Sequence, residues 1–229
     1  MTLKENLEKT SSNIRAAQRR SGIEHPVEIV GVTKTHPFSY IEESFEVGIR
    51  SIGENRVQEA QKKFTSFDKL PGLKKRFIGH LQSNKIKKCV DLFDTVDSVH
   101  SYETLKKIYR HSNKANKNIS VLLEVNTTGE KQKNGFSLSQ KDEITRCFLD
   151  TDIAVDGLMT IGPHTLNINK IRRSFIALRE LREELCSENK GLKINHLSMG
   201  MSGDYEIAVE EGSTMVRLGS LLYGVRNQL

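Results

Sequence analysis

Short apolar runs alternate with longer amphipathic segments along the chain, and this alternation restricts the fold more than any other feature of the sequence. Several of the apolar runs are rich in Val, Ile and Leu without polar alternation, as in a parallel sheet covered on both faces. The eight candidate strands span residues 28–34, 51–54, 76–80, 92–99, 119–126, 153–162, 194–200 and 214–224. Helical periodicity predicts helices over residues 2–20, 39–48, 55–66, 83–90, 101–112, 138–150, 167–188 and 204–212. Strands that alternate with helices in this way indicate the α/β class.

Eight strands alternating with helices in a chain of 229 residues predict a (β/α)8 barrel, the TIM barrel, as a single domain over residues 1–229. The helix that precedes the first strand would then take the place of the helix that normally follows the last strand. An open doubly wound sheet is the alternative. It is disfavoured because the sequence has no G-x-G-x-x-G turn after the first strand.

Composition limits the class of protein. Hydrophobic residues make up 36% of the chain and charged residues 28%, and no apolar run approaches the length that spans a bilayer. Cys89, Cys147 and Cys186 form no C-x-x-C pair, and no histidines accompany them at ligand spacing, so we expect neither disulfides nor a metal site. The polar N-terminal segment has no secretory signal. These features predict a cytoplasmic protein.

The net charge of +6 raises the question of nucleic-acid binding, since cations cluster in "NKIKKC", "LKKIYRHSNKANKN" and "IRRS". These clusters fall on predicted helix faces and loops. The chain has no tryptophan, and its aromatic residues are not interleaved with the cations. We therefore interpret the clusters as solvated surface, and nucleic acid is not an expected partner.

Polar residues stand at the carboxyl ends of most candidate strands, which is where barrels build their sites. These strand-end residues are Lys34, Glu54, Asn55, His80, Asp97, Ser98, Asn126, Met159, Thr160, Ser198 and Arg217. Met159 is the apolar member of the set. Each of them could instead be a helix N-cap or a loop residue, and for Ser98 the N-cap is the stronger interpretation. Taken together, they predict a polar pocket.

Lys34 is the lysine that ends an apolar strand, whereas the other lysines fall in helices or loops. Partial desolvation and a neighbouring cation would lower the pKa of its amine and make it a nucleophile toward an aldehyde. The sequence therefore predicts Schiff-base chemistry at this position.

Two later segments have the features of phosphate-binding loops. In "HLSMGMSGDYEIAVEEG", Ser198, Gly200, Ser202 and Gly203 would let hydroxyls and backbone N–H groups approach an anion. In "MVRLGSLLYG", Gly219 and Ser220 follow Arg217 at the eighth strand, and barrels commonly hold phosphates after strands seven and eight. The alternative is that Ser202 or Asp204 is only the N-cap of helix 204–212.

The motifs "VGVTKTHP", "GENRVQEA", "FIGHLQSNK", "GLMTI", "LSMGMSGD" and "GSTMVRLGSLLYG" together resemble the pyridoxal 5′-phosphate homeostasis protein family. These proteins are single-domain barrels similar to the N-terminal domain of alanine racemase. The resemblance implies that Lys34 forms an aldimine with pyridoxal 5′-phosphate (PLP). It also implies that Ser198, Ser202, Gly219 and Ser220 take the phosphate, that Arg217 faces the pyridine nitrogen, and that Asn55, His80 and Met159 line the ring. The residues by themselves predict only a phosphorylated carbonyl compound.

The resemblance implies a carrier or regulator that holds PLP and passes it to PLP-dependent enzymes. An arginine at position 217 supports this role, because a guanidinium beside the pyridine nitrogen leaves that nitrogen unprotonated. The ring is then a poorer electron sink. The alternative is an amino-acid racemase or related enzyme, with His80 or Tyr223 as a second base. We expect a monomer. We also expect no strong catalytic activity, since the second domain that brings a tyrosine to the substrate in alanine racemases is missing from this sequence.

Overall fold

Eight parallel strands close into a barrel in the computed structural model, which describes residues 1–130, 132–150 and 152–224. The strands are β1 (Glu28–Val32), β2 (Ser51–Glu54), β3 (Lys74–Phe77), β4 (Thr95–Val99), β5 (Ser120–Asn126), β7 (Ala154–Met159), β8 (His196–Met201) and β9 (Met215–Leu218). Each pairs in parallel with its neighbours, and β1 pairs with β9 to close the ring. A two-residue strand, β6 (Phe136–Ser137), pairs with β5 outside the ring. The predicted (β/α)8 class is confirmed.

Helices cover the outside of this ring. They are α1 (Leu3–Ser21), α2 (Ser39–Glu46), α3 (Val57–Lys63), α4 (Ile86–Leu92), α5 (Tyr102–Lys114), α6 (Lys141–Leu149), α7 (Ile168–Glu188), α8 (Tyr205–Glu210) and α9 (Ser220–Tyr223). Two 3₁₀-helices, Phe64–Lys69 and Ser83–Lys85, adjoin α3 and α4. Within the described ranges, no helix is long and apolar enough to cross a membrane.

The prediction of the last strand is wrong for the second half of its range. The run 214–224 was expected to be one strand, but β9 ends at Leu218 and residues 220–223 form α9. Short apolar runs such as "SLLY" carry no periodicity that separates a strand from a buried helix. The prediction also missed β6, because two residues are too few to show alternation. The run 92–99 began too early, because its first residue, Leu92, ends α4.

Helix α1 occupies the place of the helix that follows the last strand in a regular barrel. Its N-terminus is fixed by a capping box between Thr2 and Glu5. Its apolar face packs on α8 and β9, and the side-chain amide of Asn6 donates to the carbonyl of Leu222 in α9 at 2.9 Å. The N-terminal helix therefore covers the strand that carries Arg217.

Side chains fill the barrel interior in layers. At the amino ends of the strands, Arg76 pairs with the buried Asp97 and with Glu28. An apolar cluster of Val30, Leu122, Met159 and Met215 belongs to the interior as well. Because the interior is packed, ligand chemistry belongs to the carboxyl ends of the strands, as in other barrels of this type.

Candidate functional site

A cavity of about 280 Å³ lies at the carboxyl ends of β1, β7, β8 and β9. It is lined by Val32, Lys34, Ile78, Met159, Ile161, Met201, Ser202, Gly203, Arg217, Gly219 and Ser220. Of the predicted binding residues, Lys34, Met159, Ser202, Arg217, Gly219 and Ser220 are thus brought together. Its volume is close to the lower limit of about 300 Å³ for small-molecule sites.

Lys34 sits in a tight turn directly after β1. The N–H of His36 donates to the carbonyl of Thr33 at 3.0 Å, which makes Lys34 and Thr35 the two central residues. Thr35 has a φ of 68° while Lys34 keeps a negative φ, the combination found in a type II turn. The third position of such a turn normally holds glycine, and a left-handed backbone costs an ordinary L-residue roughly 1–2 kcal/mol. Local strain is therefore built in beside the candidate nucleophile.

Arg217 is buried, and its guanidinium is held by neutral groups of one residue in β8 and one directly after β7. Nη1 donates to the carbonyl and hydroxyl oxygens of Ser198, both at 2.8 Å, and Nη2 donates to the carbonyl of Thr160 at 2.8 Å. In the described part of the chain, the carboxylates that interact with it act only through space, without a hydrogen bond. Burial lowers its pKa, while Asp97, Asp204 and Glu124 oppose that effect from farther away. A buried cation of this kind favours an acceptor atom in the cavity.

The loops after β8 and β9 meet at Ser202. Its hydroxyl accepts from the N–H groups of Gly219 and Leu221, each at 3.3 Å. Asp204 bends back instead, and its Oδ1 accepts from the N–H of Met201 at 2.6 Å. Asp204 occupies the N-cap position of α8, which begins at Tyr205, although its side chain makes no capping bond to that helix. The N-cap alternative is therefore correct in position for Asp204 and wrong for Ser202.

Gly200 has a packing role rather than an exposed backbone position. The register between β8 and β9 shifts between Ser198 and Met201, and Gly200 has a φ of 98° there. A Cβ at this position would lie 2.6 Å from the Cβ of Ala208 in α8. Glycine therefore allows β8 to bulge while α8 packs closely, and the bulge presents Ser202 to the cavity.

Of the nine residues to which the resemblance assigns a contact with PLP, three lie outside this cavity. Ser198 is fully buried and accepts from Arg217, so its contact with the cavity is indirect. Asn55 and His80 line a neighbouring cavity of about 550 Å³, together with Arg56 and Lys85. The two cavities adjoin the same loop, since Ile78 lines the first and His80 the second.

The sequence interpretation missed the apolar wall of the cavity and the groups behind the lysine turn. Ile78, Ile161 and Met201 were not distinguishable from core residues, because each falls in or near an apolar run. Glu59 and Lys63 contact the turn itself, but their four-residue spacing on α3 is the pattern of an ordinary surface ion pair.

Tyr223 and His80, the two candidates for a second base, do not line the cavity that contains Lys34. The hydroxyl of Tyr223 lies 2.8 Å from Ser44 Oγ, and burial raises the pKa of Tyr223 to about 12. Its ring packs against β1 at Gly31, where a Cβ would lie 2.2 Å from the tyrosine hydroxyl oxygen. His80 faces the neighbouring cavity, with its ring centroid 4.9 Å from that of His100. Within the described ranges, no group of three or more His, Cys, Asp or Glu side chains could hold a metal.

A closed barrel of eight parallel strands surrounded by helices is the fold of the alanine racemase N-terminal domain. The family model of that description matches residues 6–227. The chain is 39% identical to the pyridoxal phosphate homeostasis protein of Aquifex aeolicus over 224 residues, with 97% of each chain covered. It is 33% identical to the Escherichia coli protein of that name, covering 97% of this chain and 96% of the relative. The chain belongs to the pyridoxal phosphate homeostasis protein family.

Solved structures agree with this assignment. PipY of Synechococcus elongatus with PLP bound is 31% identical, with a TM-score of 0.83 and coverage of 97% of this chain and 100% of PipY. A protein of unknown function from Bifidobacterium adolescentis is 34% identical, with a TM-score of 0.89 and coverage of 96% and 94%. Alanine racemase of Clostridium difficile, in complex with cycloserine, is 17% identical with a TM-score of 0.75. This chain covers 60% of that enzyme, and the likeness shows the fold alone.

Proposed function

We propose that this chain binds PLP covalently at Lys34 and acts in PLP homeostasis as a carrier or regulator. The observation that carries the proposal is the single cavity shared by the Lys34 side chain, Arg217 and the turn formed by Ser202, Gly219 and Ser220. The relative PipY, which covers the chain almost completely, has been solved with PLP bound. The names of the curated relatives support the same role.

The cavity offers a group for each part of the cofactor. The aldehyde of PLP supplies a carbonyl on which the amine of Lys34 can condense with loss of water. The hydroxyls of Ser202 and Ser220 and the small residues Gly203 and Gly219 suit the phosphate. Arg217, oriented by Ser198 and Thr160, is proposed to donate to the ring nitrogen.

The remaining predicted residues border the ring in this proposal. Met159 supplies an apolar contact from the end of β7. Asn55 and His80 follow β2 and β3 at the same end of the barrel, and they would approach the ring from the neighbouring cavity. Ser198 acts through Arg217 rather than on the phosphate directly.

A carrier is favoured over a racemase because proton transfer on both faces of a substrate needs two positioned bases. Among the described residues that line the cavity, Lys34 and Arg217 are the titratable ones, and a guanidinium is a poor base. The fold likeness to alanine racemases favours the enzyme as second candidate. Racemisation of any amino acid at ordinary enzymatic turnover, roughly 1–10³ s⁻¹, would establish it instead.

The wider setting of this function is part of the same proposal. We propose a single barrel domain over residues 1–229 that works as a cytoplasmic monomer and passes PLP to PLP-dependent enzymes. Light scattering of the purified chain would contradict the monomer if it gave a dimer mass. Transfer is tested by mixing the loaded chain with a PLP-free enzyme and measuring recovered activity against an equal concentration of free PLP.

The covalent attachment is tested by loading the purified chain with PLP and measuring its visible absorbance before and after gel filtration. Lys34→Ala should lose the absorbance, whereas the matched control Lys85→Ala, in the neighbouring cavity, should keep it. Borohydride reduction followed by peptide mapping should label Lys34. If Lys34→Ala retains PLP as firmly as the parent chain, the attachment point is another amine and the assignment is wrong.

A further inference from the structure

We propose that Glu59 and Lys63 of α3 are positioning residues that clamp the turn carrying Lys34 and so aim its amine into the cavity. The inference rests on the proposed function of Lys34. It concerns groups that do not line the cavity and that contact the backbone of the two residues flanking Lys34.

The turn needs an external restraint because of its sequence. Thr35 occupies the position with positive φ, at 68°, which a type II turn normally gives to glycine or asparagine. Threonine is β-branched, and branched residues are among the least suited to this region. Such a conformation persists only when its surroundings hold it in place.

Helix α3 supplies the restraint at the first and third residues of the turn. Glu59 Oε1 accepts from the N–H of Thr35 at 2.5 Å. Lys63 Nζ donates to the carbonyl of Thr33 at 2.9 Å, the same carbonyl that closes the turn by accepting from His36. Lys63 Nζ also lies 3.1 Å from Glu59 Oε1. Glu59 and Lys63, four residues apart on one face of α3, thus bind the N–H of Thr35 and the carbonyl of Thr33 in the same turn.

Burial distinguishes this group from a surface ion pair. The side chain of Lys63 is 6% exposed, and it donates at 2.7 Å to the fully buried Glu54, which also accepts from the hydroxyl of Thr33. Burial raises the pKa of Glu59, but the bond from Thr35 and the ammonium of Lys63 outweigh it and hold the pKa below its ordinary value. Glu59 is therefore ionised at neutral pH, and its bond to Thr35 is charge-assisted.

The clamp is tested by a double-mutant cycle in the full chain between Glu59→Ala and Thr35→Gly. Glycine adopts positive φ without a steric cost, so a turn with glycine no longer depends on the carboxylate. One lost hydrogen bond to a charged group corresponds to about a tenfold change in an equilibrium constant. Glu59→Ala should therefore raise the Kd for PLP about tenfold, but less than about threefold when Thr35→Gly is also present.

Two further measurements separate positioning from a merely structural role. Glu59→Gln keeps an oxygen acceptor for Thr35 and should restore most of the affinity. In the PLP-free chain, Glu59→Ala should speed hydrogen exchange at the Thr35 amide. The control Glu103→Ala, which removes a pair between Glu103 and Lys106 on the outside of α5, should change neither property.

The outcomes are separable from those of the proposed function. If the parent chain binds PLP at Lys34 and Glu59→Ala has no effect on Kd, or the same effect in both backgrounds, the clamp is wrong and the function stands. If the parent chain does not bind PLP at Lys34, the proposed function fails. Unchanged exchange at Thr35 in Glu59→Ala overturns the clamp whatever the result with PLP.

Discussion

Burial changes the acid–base properties of single residues inside the barrel, and Glu124 is the clearest case. It lies in β5 with 7% of its surface exposed, and burial raises its pKa to about 7, with Arg217 acting in the opposite direction. The folded chain therefore favours the protonated form between pH 4.5 and 7. The resulting stabilisation is fully present below about pH 4.5 and is lost as the pH rises through about 7.

Glu124→Gln should remove this pH dependence, since the amide stays neutral. One pKa unit corresponds to about 1.4 kcal/mol, so the parent chain should lose up to about 3 kcal/mol of unfolding free energy across that range from this residue. Urea unfolding at pH 5 and pH 8 should show the variant gaining stability relative to the parent at pH 8. The control Glu103→Gln, at an exposed position, should follow the parent at both pH values. A parallel pH dependence in Glu124→Gln would contradict the raised pKa.

Tyr223 was a candidate catalytic base in the sequence, but in the fold its hydroxyl makes a hydrogen bond with that of Ser44. Tyr223→Phe removes the hydroxyl bonded to Ser44 and should cost about 1 kcal/mol of unfolding free energy. PLP content and affinity should stay at the parent level, because the ring lies outside the Lys34 cavity. The measurements are urea unfolding and PLP titration. A large loss of affinity in this variant would restore Tyr223 as a member of the site.

At the scale of elements, a polar network holds the amino ends of the barrel strands together. Arg76 in β3 lies 3.3 Å from the carboxylate of Asp97 in β4 and 3.4 Å from that of Glu28 in β1. Asp97 also accepts from the hydroxyl of Thr95 at 2.7 Å. None of these residues lines the cavity that contains Lys34, so the network serves strand association rather than direct ligand contact.

Arg76→Leu should destabilise the chain by about 3–5 kcal/mol, because it leaves the carboxylate of Asp97 buried without its cation. The double variant Arg76→Leu/Asp97→Leu should recover much of that loss, since a buried pair can often be replaced by apolar side chains. Urea unfolding of the two single variants and the double variant closes the cycle. Additive losses would show that the pair is not coupled.

Elements were predictable to the extent that their periodicity is local. Most strands and helices lie within or close to their predicted ranges, because alternation and the 3.6-residue period are properties of the backbone. The end of the last strand was not predictable, since "SLLY" satisfies either period. The type II turn at Thr35 was hidden as well, because its sequence lacks the glycine that marks such turns.

For the whole molecule, closure of the ring brings the first and last strands together. The pairing of β1 with β9 places Val30 opposite Arg217, and it joins Lys34 to the loops after β8 and β9. Binding of PLP should therefore tie segments that are far apart in the chain. A ligand that binds the folded state adds about 2.7 kcal/mol at a concentration of one hundred times Kd.

PLP at that concentration should raise the Tm of the parent chain by about 5–10 °C, given about 2–4 °C per kcal/mol for a chain of this size. Lys34→Ala should show a much smaller rise, which inorganic phosphate alone would reproduce if the loops with Ser202 and Ser220 bind phosphate as proposed. Differential scanning calorimetry measures both. Equal shifts in the parent and Lys34→Ala would show that the lysine contributes nothing to binding.

The sequence by itself determined the order of strands and helices, the barrel class and the position of Lys34 beside a strand end, because these follow from side-chain periods along a continuous backbone. Only the tertiary structure decided that Asn55 and His80 face a neighbouring cavity, that Ser198 lies beneath Arg217, and that Glu59 braces Thr35. Those relations join residues on different elements. They depend on strand register and ring closure, which no local pattern encodes.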